Sequence, residues 1–192
     1  MSNGAITLKK NIVFNSKKEL LMQSLIKYFS NDSHLGELIP IITGKSKTSL
    51  RLIDWFVTNY SKKHGTAYEI KVHSEKKHII VYLHYRSQLK AYSKKQFDTF
   101  CRGERISIID KDQNEYITTV GQLNFFKWAI EYKILDYINE NFKAIENDMT
   151  VSLKNVYKKK KDGEKRRKRQ ELSISATRSI KIYDTSIVVK FD

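Results

Sequence analysis

Apolar residues recur along this chain with two different periods. Between Ser16 and Phe29, Leu21, Leu25 and Tyr28 form one stripe with Met22, Ile26 and Phe29 beside it, which is the spacing of a helix with one buried face. From Ser46 to Lys63 the positions Leu50, Ile53, Val57 and Tyr60 repeat in the same way, with Trp55 and Phe56 widening the apolar face, and predict a second helix ending near Gly65. The period then drops to two. Tyr68, Ile70 and Val72 alternate with Glu69, Lys71 and His73, and the run from Ile79 to Tyr85 follows after the polar stretch Ser74 to Lys77; together they predict a hairpin.

A second, shorter hairpin is predicted from Ile106 and Ile108 through the polar turn Asp110 to Asn114 to Tyr116 and Thr118. Thr119 and Gln122 have capping-box spacing, in which the threonine oxygen accepts from the amide three residues on and the glutamine returns a bond to the threonine amide. A third helix is therefore expected over Thr119 to Asn141. Leu123, Phe126, Ile130, Ile134 and Ile138 form one stripe of it and Phe125, Trp128, Tyr132 and Leu135 another, so it should be central to the fold. After Met149 the pattern gives way to a charge run, followed by alternating segments at Leu172 to Ala176 and Ile187 to Phe191 that read as strands. The expectation is an α+β fold: one domain over 1–192, antiparallel hairpins packed around about three helices, with an exposed basic loop over 154–170.

Charge changes the picture from a generic domain to a polyanion binder. The chain carries 36 Lys and Arg against 21 Asp and Glu, a formal charge of +15, while 40% of its residues are hydrophobic; it should fold, and it should attract DNA, RNA or anionic head groups. A solubility charge is the plainer alternative. Nine of the twelve residues from Lys158 to Arg169 are basic, namely Lys158, Lys159, Lys160, Lys161, Lys165, Arg166, Arg167, Lys168 and Arg169. Such density repels itself unless a polyanion neutralises it, although a nuclear-import signal or a solvated loop has the same composition.

A second candidate surface is HYRSQLKAYSKKQFDTFCRGER, where Arg86, Lys90, Lys94, Lys95, Arg102 and Arg105 interleave with Tyr85, Tyr92, Phe97 and Phe100. Cations there can pair phosphates while rings stack on unpaired bases. Tyr92, between Ala91 and Ser93, is the ring expected to be most exposed; the alternative is that the aromatics are core and the lysines solvated.

Other chemistry is weaker. Gly44, Lys45 and Ser46 resemble the end of a phosphate-binding P-loop, but Ile39 stands where the motif needs glycine, which leaves at most a single phosphate at a helix start near Ser46. Glu69 and Lys71 on a strand suggest a nuclease element, yet Asp54 falls inside the second predicted helix rather than at a strand end. His34, His64, His73, His78 and His84 lack zinc-pair spacing, with only His73 and His78 placed to meet across a hairpin. Cys101 is the only cysteine, so a disulfide within the chain is excluded; it is expected to be buried and inert, and a reducing compartment fits. No metal, cofactor or enzyme activity is expected. Neither a signal-peptide core in MSNGAITLKKNIVF nor an apolar run long enough for a membrane span is present, which points to an intracellular protein.

The blocks SKTSLRLIDWFVTNYSKK, HYRSQLKAYSKKQFDTFCR, TTVGQLNFFKWAIEYKILDYI and RRKRQELSISA resemble a family of small basic proteins of giant double-stranded DNA viruses. The resemblance implies action in a cytoplasmic virus factory or a virion, on viral DNA more than RNA, in compaction or packaging, in transcription or in bridging genome to shell. The competing expectation is a structural or assembly protein whose basic loop meets acidic protein or membrane.

Overall fold

The structure, a computed structural model, describes residues 17–72 and 75–161. The chain divides after Ser152 into two units, of which the first holds most of the described residues and is compact over them. In the first, α1 (Lys17–Phe29) is followed by α2 (Asp32–Ile42), a helix that the sequence pattern did not announce. Asn31 caps it by accepting from the Ser33 amide, and Leu35, Leu38 and Ile41 are its buried positions; Pro40 falls in its last turn. The second expected helix begins at Leu50, not Ser46. Ser49 is its N-cap, accepting from the Leu52 amide, so Ser46 lies in the preceding loop, where its Oγ accepts from Thr48 N. The helix continues as α3 (Leu50–Trp55), a π-helical turn (Phe56–Tyr60) and α4 (Ser61–His64), and it stops at Gly65, whose φ of 58° is left-handed.

The first hairpin pairs β1 (Ala67–Val72) with β2 (Glu75–Ile80), Ala67 opposite Ile80 and Val72 opposite Glu75. Lys76 and Lys77 are therefore strand residues and not turn, and His78 faces Glu69; His73 lies outside the described residues. The apolar run also divides differently from the expectation: the strand ends at Ile80, and Val81 opens α5 (Val81–Gln96). The Val81 amide donates to Thr66 O at 3.1 Å, and from there Val81, Tyr85, Leu89 and Tyr92 follow a helical stripe toward the core.

The second hairpin, β3 (Arg105–Ile109) with β4 (Glu115–Thr119), has the expected bounds. Asp110 closes its turn by accepting from Asn114 N at 2.8 Å and from the Tyr116 hydroxyl at 2.9 Å. Thr119 then caps α6 (Val120–Glu131), accepting from Gln122 N at 3.1 Å. The reciprocal half of the expected box is not made, because the Gln122 side chain is directed elsewhere.

The third expected helix is broken. α6 ends at Glu131, Lys133 takes a left-handed conformation, and α7 (Ile134–Glu140) and α8 (Phe142–Lys161) follow. α6 is nonetheless the centre: Leu123, Phe125, Phe126, Trp128, Ala129 and Ile130 are all buried, and α1, α2, α5 and α7 pack on it. Each leucine, isoleucine or phenylalanine among them contributes roughly 1.5–3 kcal/mol relative to exposure. Trp128, 3% exposed, is core and not a recognition surface. Asp148 of α8 accepts from Trp55 Nε1 at 3.0 Å and pairs with Lys63, tying α8 to the α3–α4 segment.

The expected basic loop over 154–170 is corrected at its start: the backbone is helical through Lys161, so Lys158, Lys159, Lys160 and Lys161 end α8. Its remainder, with Lys165, Arg166, Arg167, Lys168 and Arg169, and the two expected C-terminal strands lie outside the described residues. Among the described residues, no helix is long and apolar enough to cross a membrane.

Candidate functional site

The second basic surface is built around a break in α5. Ser93 has φ 60° and ψ 167°, a conformation essentially reserved for glycine and costing about 1–3 kcal/mol in any other residue. It persists because the chain on its far side is held from several directions. Asn124 Nδ2 donates to Gln96 O at 2.8 Å, Gln122 Nε2 to Thr99 O at 3.0 Å, and the Asp98 amide to Gly121 O at 3.1 Å. Gly121 makes this approach sterically feasible, since a Cβ there would sit 2.9 Å from Lys95 O. Gln122 Oε1 in turn accepts from the Thr118 hydroxyl at 2.9 Å, so the amide is used at both ends.

Phe97 completes the anchorage. It is 2% exposed and lies 5.3 Å from Phe125 and 5.5 Å from Trp128, ring to ring. Its burial, roughly 1.5–3 kcal/mol, together with these hydrogen bonds, offsets the strain at Ser93. The chain is thereby bent so that Lys94 and Lys95 leave the line of α5 and flank a cavity of about 400 Å³.

Asp54 and Thr58 of the α3 and π-helical segment, Tyr85 and Leu89 of α5, then Phe97, Asp98, Arg102 and Thr119 line the rest. A π-helical turn is itself a frequent companion of functional sites. Arg102 binds Asp98 with two hydrogen bonds, Nε to Oδ2 at 2.8 Å and Nη2 to Oδ1 at 2.6 Å, and is otherwise largely in solvent. Among the described residues, Asp54 has no such ion pair. Burial raises its carboxyl above the usual range, and Asp98 adds to that, while Arg102 and the Thr99 hydroxyl oppose it. Burial, with Asp54 and Asp98 nearby, also pushes the Tyr85 hydroxyl up to about 12.

The structure thus brings Lys94, Lys95 and Arg102 to one cavity. Arg86 and Lys90 lie one turn apart on α5, both exposed, and Arg105 is exposed at the start of β3. No ion pair among the described residues engages Arg86, Lys90, Lys94 or Lys95. Tyr92 corrects the expectation of an exposed ring: it is half-buried, stacked with Phe97 at 6.3 Å and packed against the core. Cys101 is half-buried and not buried. Among the described residues, no group of three or more His, Cys, Asp or Glu is arranged to hold a metal ion.

The cations are legible in the sequence; what positions them is not. Gln122 and Asn124, polar residues amid the apolar stripes of α6, were the available signal, because buried polar groups are the informative exceptions in a core.

Comparison with known proteins adds a lineage. A family of unknown function (DUF7197) matches residues 2–179. The uncharacterized protein L507 of Acanthamoeba polyphaga mimivirus is similar, with 38% identity over 176 residues, which is 88% of this chain. The chain spans 66% of that protein's length. No solved structure matches.

Proposed function

The chain belongs to this giant-virus family of unknown function, and we propose that it acts by binding nucleic acid, DNA rather than RNA, through phosphate contacts and without catalysis. The family bears out the giant-virus likeness of the four sequence blocks. The observation that carries the binding reading is the grouping of Lys94, Lys95 and Arg102 at one cavity by a strained, clamped backbone, with Arg86 and Lys90 on the same helix. Arg86 and Lys90 at i, i+4 repel one another in the free protein, and Lys71 opposite Lys76 on the first hairpin does the same; a polyanion removes both penalties. With Tyr92 engaged by Phe97, the surface offers charge more than stacking, which suits sequence-tolerant contact.

The test is a titration of labelled random-sequence duplex at several salt concentrations. Each neutralised phosphate contributes about 0.9 to the slope of log K against log salt, so five or so contacts give a slope near −4.5. Replacing both Lys94 and Lys95 by Ala should flatten that slope by about 1.8. Binding indifferent to salt, or no binding at about 50 mM salt, overturns the reading.

A further inference from the structure

We infer that the cavity beside Lys94, Lys95 and Arg102 receives one nucleotide unit, its phosphate on the cations at the mouth and an amino-bearing base against Asp54. This rests on the nucleic-acid reading for the class of ligand, and it adds a discriminating contact that phosphate binding alone does not have.

About 400 Å³ is within the range of roughly 300–1,000 Å³ for small-ligand sites. Tyr85, Leu89 and Phe97 supply apolar wall, and the three cations are exposed residues at its edge, so an anionic group is held outside and a flat apolar body inside. Asp54 is the polar group that this division leaves over. Asp98 has both oxygens engaged by Arg102, whereas the half-buried Asp54 carboxylate, with the Thr99 hydroxyl as a polar neighbour, retains acceptor sites. A partly desolvated carboxylate with spare lone pairs favours N–H donors. An exocyclic base amine supplies them, and carboxylate recognition of the cytosine amine is an established pairing. A bare phosphate leaves Asp54 unserved, and a duplex with all bases paired keeps its bases out of a cavity of this kind; a free nucleotide and an unpaired strand nucleotide both fit.

Calorimetric titration of the full-length protein with CMP, UMP, cytidine and inorganic phosphate tests this. CMP and UMP differ where cytosine carries an amine and uracil a carbonyl, so CMP should bind at least about tenfold more tightly than UMP, and cytidine and phosphate each at least about tenfold more weakly than CMP. Asp54→Asn should abolish the difference between CMP and UMP, while Lys94→Ala should weaken both alike. Leu89→Trp, which fills the cavity from a half-buried position, should block CMP and serves where Asp54→Asn fails to fold. A 5′-phosphorylated single strand ending in cytosine that displaces CMP assigns the site to strand ends; CMP binding without that displacement assigns it to free nucleotide. Equal binding of CMP and UMP, or no CMP binding, overturns the inference, and if salt-dependent duplex binding persists in that case the broader reading stands.

Discussion

Two places on either side of α6 break a helix at a residue other than glycine, and they do so on very different terms. Lys133, at φ 56° and ψ 29°, occupies the ordinary left-handed well between α6 and α7. Lys133 itself is held by near neighbours: its amide donates to Ile130 O at 3.1 Å, its carbonyl accepts from Tyr137 N at 3.1 Å, and its ammonium pairs with Asp136 at 3.1 Å, while the Tyr68 hydroxyl reaches the adjacent Tyr132 O at 2.9 Å. Ser93 sits instead in a region that only glycine visits freely, and its surroundings are not local but reach to Gly121, Gln122, Asn124 and Phe125 on another element. Strain persists only where neighbours over-determine it. The first joint turns a chain; the second fixes where Lys94 and Lys95 stand.

Trp128 touches both regions, facing Phe97 beyond Ser93 and Tyr132 before Lys133. Trp128→Ala should cost about 3–5 kcal/mol, read from denaturant melting, and bring down both joints together. A stability change within about 0.5 kcal/mol accompanied by lost DNA binding would instead make it a surface residue. Gly121→Ala separates the two. The new methyl meets the backbone of Lys95, Gln96 and Phe97, so a loss of about 1–3 kcal/mol is expected together with weaker DNA binding, and amide exchange should quicken over 94–99 while 132–135 is unchanged. Equal quickening at both joints would erase the distinction.

The smallest effects sharpen it most. Ser93→Gly should raise stability by about 1 kcal/mol, the relieved strain less the added freedom of the unfolded chain. Lys133→Gly, relieving a milder conformation, should stay within about 0.5 kcal/mol. Matching gains in the two melting curves would show that Ser93 is no more strained than Lys133.

The contrast also explains what the sequence disclosed. Gly65, the Asp110–Asn114 turn and Thr119 act through neighbours a few residues away, and all three were legible. Ser93 was not, because Tyr85, Leu89 and Tyr92 keep a helical stripe right up to the break and its cause lies at Gly121 and Asn124. The run Ile79–Tyr85 predicts strand because a short apolar run carries no period of its own; the change to helix comes at Val81, just past the ladder pair Ala67–Ile80, where the Val81 amide still donates across to Thr66 O. α2 was hidden by Gly36 and Pro40, which depress helix propensity until packing on α6 overrides it. Asp54 lies in a helix, as its spacing predicts, and that position gives no sign of a site, since only the fold brings it to Lys94, Lys95 and Arg102.

The indole of Trp128 donates to His84 Nδ1 at 2.7 Å, and that contact makes the centre of the fold a proton gauge. An acceptor Nδ1 must be unprotonated, so the ring carries its proton on Nε2; adding a second proton would set two N–H groups against each other. Burial holds the His84 pKa below its usual 6.5, with Glu131 opposing. The folded state therefore binds fewer protons than the unfolded one as pH falls. The contribution of His84 to stability is complete above about pH 6.5 and is lost progressively as pH falls from there through the folded pKa. Melting temperatures followed downward from neutrality should decline over that window, and His84→Gln, which retains an acceptor and cannot titrate, should remove that part of the decline.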